Sequence, residues 1–261
     1  MVDGAVAAGR AGGAADRIAF LGHATVLIEL DGVRLLTDPL LRSRVAHLRR
    51  QPPPVQRSLF ADIDGVLISH LHHDHLDLPS LALLGVDTPL VVPSGAGGWL
   101  ARRGFTAVTE LSAGDAVGIA GLTITAVQAH HDGRRTGGPR AGALGYLVDG
   151  DRRAVYFAGD TELFAEMSNL PSLDVALLPV AGWGPTLGRG HMGPLDAARA
   201  VCTMQPRVAI PVHWGTLLPI GLGPRNRIGL GDPPHLFAEH VARLAPNVEV
   251  RIVPPGGETE L

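Results

Sequence analysis

Apolar residues fall in short runs broken by Gly, Pro and Asp along most of this chain. Ile18-Ala19-Phe20-Leu21 is followed by Val26-Leu27-Ile28-Glu29-Leu30 and Val33-Arg34-Leu35-Leu36-Thr37, the last two joined by Asp31-Gly32. An Asp-Gly step between apolar runs accepts the positive φ values of a tight turn, so this spacing predicts a β-hairpin. The segment from Leu41 to Leu59, with Pro52-Pro53-Pro54 in its middle, reads as a long irregular loop, and such loops inside compact domains are often functional.

The pattern then changes. The run Gly65-Val66-Leu67-Ile68-Ser69 reads as a buried strand, followed by a short helix near Pro79 to Leu84, a strand Leu90-Val91-Val92 and a helix across Gly98 to Arg103. Hairpins return over Val117 to Val127 and Ala143 to Phe157, with Asp149-Gly150 as a turn. Two strand-helix units follow: Asp174 to Pro179 with Pro194 to Met204, and Val208 to Val212 with Pro234 to Leu244. Val248 to Val253 closes the chain. Hairpins, then βα units, then the same again predicts an α/β (α+β) architecture of two mixed sheets packed face to face with helices outside.

Composition narrows the class. The 261 residues suffice for one large core, and the expected organisation is a single catalytic domain over 17–261 behind a disordered, Ala- and Gly-rich tail at 1–16. The net charge is −3 and no stretch concentrates basic residues with aromatics, so a general nucleic-acid groove is not expected, although a small nucleotide remains compatible. All 22 basic residues are arginine, which excludes a lysine nucleophile or Schiff base. The one cysteine, Cys202, rules out an intrachain disulfide. It reads as core packing on a helix face and fits a reducing cytoplasm. No apolar stretch reaches transmembrane length or forms a signal-peptide core.

The candidate chemistry lies directly after the strand at 65–69. His70-Leu71-His72-His73-Asp74-His75 packs four imidazoles and a carboxylate into six positions. Neutral imidazole is the commonest protein ligand for borderline divalent metals, and a carboxylate offsets part of the cation's charge. His70 and His72 are two apart at a strand end and can project to the same side. A hydrolytic metal site needs more donors than this, and three further strand ends offer them: His130-His131 after Ile124 to Gln128, Asp160 after Ala154 to Phe157, and His213 after Val208 to Val212.

With these four segments in view, the chain resembles the metallo-β-lactamase superfamily, whose motif has the form His-x-His-x-Asp-His followed by a distant His, an Asp and a final His. Gly22-His23-Ala24-Thr25, Leu36-Thr37-Asp38-Pro39, Gly159-Asp160-Thr161 and His191-Met192-Gly193-Pro194 are similar to the branch of ascorbate-6-phosphate lactonase-like proteins and N-acyl-phosphatidylethanolamine-hydrolysing phospholipase D. The resemblance covers the chain from about Ile18 onward. It implies a four-layer αββα sandwich with a dinuclear centre at one edge: His70, His72 and His131 on one metal, Asp74, His75 and His213 on the other, and Asp160 bridging. The third ligand falls in a His-His pair, where the family spacing favours His131 over His130. His73 stands at a variable position and is expected to be a neighbour. His191 matches a histidine that contacts substrate beside the metals, and His23 and Asp38 either orient ligands or satisfy buried backbone groups.

The expected mechanism is hydrolysis by a hydroxide shared between two divalent ions roughly 3.5 to 4 Å apart. Asp74 could accept the water's proton, and His191 could stabilise the oxyanion or protonate the leaving group. Zinc is the expected metal, with Mn2+ or Fe2+ accepting the same ligands. Arg42, Arg44, Arg49, Arg50, Arg134, Arg135, Arg140, Arg225 and Arg227 crowd the expected rim. They either bind an anionic small molecule or are solvated cations in a chain that writes every cation as arginine. The expected substrate is a phosphodiester or phosphorylated small molecule. A lactone or other carboxylic ester, and a metal-binding scaffold without turnover, are the alternatives.

Overall fold

The structure, a computed structural model, describes residues 15–182, 187–221 and 232–261. Residues 1–14 of the expected tail, and Arg225 and Arg227, lie outside the described residues. Asp16 is buried, and its carboxylate accepts from the Asp31 backbone N–H and pairs with Arg153. The chain is therefore tied down one residue ahead of the expected domain start.

The first half opens with β1 (Arg17–Gly22), β2 (Thr25–Leu30) and β3 (Val33–Thr37), joined antiparallel. Asp31 and Gly32 take φ of 50° and 80°, the tight turn that the Asp-Gly step predicts. The expected irregular loop contains more order than its prolines indicate. β4 (Arg44–Val45) and β5 (Leu48–Arg50) form a small hairpin there, and a 3-10 turn covers Arg57–Leu59. Then come β6 (Gly65–Leu67), α1 (Leu78–Leu84), β7 (Leu90–Pro93), α2 (Gly97–Ala101) and β8 (Val108–Leu111). Asp77 caps α1 by accepting from the Ser80 N–H, and Pro79 sits in the first turn, where its missing N–H costs nothing. Strands β3, β6, β7 and β8 run parallel.

The second half repeats the plan: antiparallel β9 (Ala116–Ile119), β10 (Leu122–Gln128), β11 (Leu144–Asp149) and β12 (Ala154–Phe157), then parallel β13 (Val175–Pro179), α3 (Pro194–Met204) and β14 (Val208–Val212). β15 (Leu217–Pro219) pairs with β5, so the small hairpin becomes a three-stranded sheet. α4 (Asp232–Leu244), β16 (Glu249–Val250) and β17 (Gly257–Glu260) end the chain. The expected strand over Val248 to Val253 is only the short β16. The strand that closes the first sheet is β17, whose polar sequence Gly-Glu-Thr-Glu carries no periodic signal and forms by pairing with β1.

Among the described residues the two large sheets run β17-β1-β2-β3-β6-β7-β8 and β16-β14-β13-β12-β11-β10-β9. They face each other through one core, in which Ile18, Phe20, Val26 and Ile28 meet Ile124, Tyr146, Val155 and Phe157, all at most 0% exposed. Burying each such side chain is worth roughly 1.5–3 kcal/mol, which makes the frame rigid enough to hold ligands at strand ends. On the outer face of the first sheet, Val66, Ile68 and Val92 pack on Leu81 of α1 and Trp99 and Leu100 of α2. Ala197, Ala200 and Val201 of α3 and Phe237 and Val241 of α4 join the core on the other side, giving the expected αββα layers. Cys202 is exposed, not core: it sits on the outward side of α3.

Candidate metal centre

The parallel strands β6, β12, β13 and β14 end at one edge of the sandwich, and the predicted donors gather there. The chain after β6 supplies His70, His72, Asp74 and His75. The loop after β10 supplies His131, the turn after β12 supplies Asp160, and the end of β14 supplies His213. Gly159 lets the two sheets approach at this edge. It takes φ of 61°, and a Cβ there would lie 2.6 Å from Ser69 Cβ and 3.0 Å from the Leu144 carbonyl oxygen. His23, Asp38 and His213, three of the eight non-glycine residues at positive φ among the described residues, are held at φ of 57°, 34° and 63° at this edge.

The first donor group is His70, His72 and His131. His72 Nδ1 lies 3.0 Å from His70 Nε2 and 3.2 Å from His131 Nε2. The hydrogen-bond network assigns the protons on the far side of these rings. His131 Nδ1 donates to the Gly190 carbonyl at 2.9 Å. Ser69 Oγ gives its one proton to Asp38 Oδ2, so it accepts from His70 Nδ1 at 2.9 Å. The Nε2 atoms of His70 and His131 therefore carry lone pairs, directed at His72 Nδ1. Three nitrogens facing one another in this way repel unless a cation or a proton stands between them.

The second group draws on His75, His213, Asp74 and Asp160. His75 Nδ1 donates to Asp38 Oδ2 at 2.7 Å and His213 Nδ1 to the Ala181 carbonyl at 2.6 Å. Their Nε2 atoms are 3.4 Å apart. Asp160 lies between the groups, with Oδ2 3.2 Å from His75 Nε2 and 4.0 Å from His70 Nε2, and Oδ1 3.3 Å from His213 Nε2. Asp160 Oδ1 is buried with no hydrogen-bond donor, an orphan that a cation would satisfy. Donors of this chemistry, with their outer atoms anchored by hydrogen bonds, fit a borderline divalent metal.

The protonation pattern is divided. Burial pushes the His131 and His213 imidazoles down, to about 4 and about 3, so both are neutral donors at pH 7. Burial would also lower His75, but Asp160, Asp38 and Asp74 outweigh it and raise it well above the ordinary value. Burial would raise Asp160, yet His213, His75 and the hydrogen bond from His191 hold its carboxyl well below the usual range. His191 presents Nε2 at 3.4 Å from Asp160 Oδ2, with Nδ1 turned to the carbonyls of Gly188 and Arg189, and that contact with Asp160 raises its pKa.

The two rings of the His130-His131 pair face different ways. His130 stacks on Phe164 at 4.6 Å, outside every donor group, and His131 faces the centre. His73 stands in no donor group but lines the cleft. Asp38 does both things open to it, accepting from the Ser69 backbone N–H at 2.7 Å and orienting His75. Ser69 and the carbonyls of Ala181 and Gly190 were not among the expected site groups. A serine next to the cluster is a weak signal, and backbone carbonyls leave none in sequence.

An open cleft of about 630 Å³ leads to these donors, with His72, Asp74, Asp160, His191 and His213 on its floor and Val45, Leu48 and Leu187 on its wall. Most rim arginines have other partners. Arg42 pairs with Asp77, the α1 cap. Arg50 is buried and donates to the carbonyls of Pro53 and Leu21. Arg135 lines the cleft but donates to the carbonyls of Leu71 and Leu76. Arg134 also lines it, exposed and paired with Asp132.

A family model described as "Beta-lactamase superfamily domain" matches residues 33–214, from β3 through all of the donors but His23. The chain belongs to this superfamily. A metal-dependent hydrolase of Methanopyrus kandleri is 35% identical, over 94% of this chain and 99% of that protein. An N-acyl-phosphatidylethanolamine-hydrolyzing phospholipase D of Caenorhabditis elegans is 32% identical, over 80% of this chain and 67% of that one. Among solved structures, a metallo hydrolase from Ignicoccus hospitalis superposes with a TM-score of 0.71 at 24% identity, covering 95% of this chain and 99% of the other, which is a likeness of fold. The protein is thus a metal-dependent hydrolase of the metallo-β-lactamase fold. Among its described residues no helix is long and apolar enough to cross a membrane.

Proposed function

We propose that the protein, folded as one hydrolase domain over 17–261, holds two divalent cations and hydrolyses a phosphodiester or phosphorylated small molecule. The observation that carries this reading is the set of convergent ring nitrogens of His70, His72, His131, His75 and His213 with the donor-free Asp160 Oδ1 between them. His70, His72 and His131 would hold one cation and Asp74, His75 and His213 the other, with Asp160 as the carboxylate shared between them. Zn2+ suits imidazole and carboxylate donors, with Mn2+ or Fe2+ as substitutes. Bound there, such ions supply a water of lowered pKa and a positive face for the scissile group.

The protein's own groups do the rest. Asp74 accepts a proton at its carboxylate. His191, anchored through Nδ1, turns Nε2 toward the cleft to donate to the developing oxyanion or to the leaving group. Val45, Leu48 and Leu187 exclude water from one wall, and Arg134 offers a cation at the mouth. The relative named as an N-acyl-phosphatidylethanolamine-hydrolyzing phospholipase D supports that substrate class. A lactone or other carboxylic ester is the second reading, favoured by the apolar wall and by how many rim guanidiniums are engaged within the protein. The single cysteine suits a reducing, cytoplasmic setting. The test is hydrolysis by metal-reconstituted protein of phosphodiesters, lactones and thioesters of similar size. Preferential turnover of phosphodiesters is expected. Preference for neutral lactones overturns the substrate class, and no turnover in any class overturns the hydrolase reading for this centre.

A further inference from the structure

Each imidazole around Asp160 except His72 is anchored behind its metal-facing atom by a serine, a carboxylate or a backbone carbonyl. Asp74 has a different anchor. His23 Nε2 lies 3.0 Å from Asp74 Oδ2, and among the described residues no other hydrogen bond reaches that carboxylate. We infer that His23 is a positioning residue that fixes Asp74 and His213 relative to each other for the second cation. This rests on the two-cation reading above.

The local structure is built for this. His23 occupies the turn between β1 and β2, where Gly22 pairs with Thr25 and the register shifts, and it takes φ of 57°. Its backbone N–H donates to Thr216 Oγ1 at 2.7 Å, and its carbonyl accepts from the His213 N–H at 2.7 Å. The turn is thereby bound to the chain just after β14, in the opposite sheet. Its ring lies against the His213 ring, 3.9 Å between centroids, and reaches past it to Asp74. One buried residue thus contacts a ligand from each half of the sandwich. The backbone bonds alone would hold the turn with any residue that tolerates positive φ. The imidazole adds the link to Asp74, and its Nε2–H, donated to Oδ2, orients the carboxylate. His23, Asp74, His75 and His213 also form one compact donor group, so direct ligation by His23 is the competing role that the test must separate.

The test uses the full chain with His23→Gly and His23→Asn, both compatible with the φ of this turn. Zn2+ is titrated into metal-free protein against a chromophoric chelator, and Co2+ spectra report the two environments separately. The expected result is that both variants weaken one equivalent about 10- to 100-fold, change one set of Co2+ bands, and leave the other equivalent intact. Equal loss of both equivalents, or no loss of either, overturns the inference. Crystals of metal-free His23→Gly give a readout that does not depend on metal count: the Asp74 carboxylate should leave its wild-type orientation, and an unmoved carboxylate refutes the role. A wild type that binds one equivalent overturns the two-cation reading and leaves His23 to be judged by those crystals. A metal-loaded wild-type structure with His23 Nε2 at about 2.0–2.1 Å from the ion would make it a ligand and end the positioning assignment.

Discussion

Asp38 Oδ2 accepts from His75 Nδ1 at 2.7 Å and from the Ser69 hydroxyl, whose oxygen in turn accepts from His70 Nδ1. One fully buried carboxylate at the end of β3 therefore sets the tautomer of a histidine in each donor group. Asp38→Asn keeps the shape but replaces an acceptor with an amide that can present N–H groups to His75 and Ser69. The expected outcome is a loss of about 10- to 100-fold in affinity at both positions, read by chelator competition. A loss at one position alone would break the proposed link between the groups.

Metal uptake should release protons. In the metal-free protein His75 carries a proton at pH 7, because three carboxylates outweigh its burial, whereas His131 and His213 are already neutral. A cation held by His75 would have to displace the proton on its Nε2. Calorimetric titration at pH 7 in buffers of different ionisation enthalpy should show net proton release. Heats independent of the buffer would contradict the raised His75.

The same shifts set the pH profile of metal-free stability. His75 and His191 have raised pKa values, so their contribution is fully present below about pH 6.5 and lost as pH rises through their folded values. His131 and His213 are depressed, so their contribution is present above about pH 6.5 and lost as pH falls toward about 4 and about 3. Melting temperature of the metal-free protein should peak near neutrality and fall on both sides, whereas saturating Zn2+ should raise it and flatten the alkaline side. A metal-free profile rising steadily from pH 5 to 9 would be inconsistent with a charged His75.

How much of this was legible in sequence depended on where the information lies. His70, His72, Asp74 and His75 are local and dense, and His131, Asp160 and His213 each end an apolar strand, so both signals survive in one dimension. The anchoring carbonyls of Ala181 and Gly190 have no side-chain signature. β17 is invisible because its four residues alternate without an apolar face and owe their conformation to β1, some 240 positions earlier in numbering. Val45 and Leu48 sat in a segment whose prolines indicate a loop, yet they pack with Leu40 and Leu217 and form the cleft wall. The arginines were countable in sequence, but whether each guanidinium was free depended on partners such as Asp77 that only the fold brings near.

In the proposed two-cation centre, Asp160 is the residue on which both cations would depend. Asp160→Ala removes the carboxylate that lies within 3.3 Å of His75 Nε2 and His213 Nε2 and faces His70. It also leaves the charged His75 with one fewer counter-charge in a buried site, so metal-free stability should fall as well. The expected result by elemental analysis is loss of metal from both positions together with loss of turnover. Full occupancy of both in the purified variant would sink the bridging assignment, whatever happened to the rate.

Arg134 separates the two substrate readings. It is the cleft-lining guanidinium whose partner, Asp132, is itself solvent-exposed, so an incoming anion can compete for it, whereas Arg135 is held by two backbone carbonyls. If the substrate is a phosphodiester, Arg134→Ala should raise KM about fivefold with little change in kcat, and the effect should shrink with added salt because the contact is exposed. Hydrolysis of a neutral lactone by the same variant should be unchanged. An equal change for both substrates would mean that Arg134 shapes the cleft and does not read charge, and the phosphodiester proposal would lose the cleft-lining cation that, among the described residues, an anion can recruit.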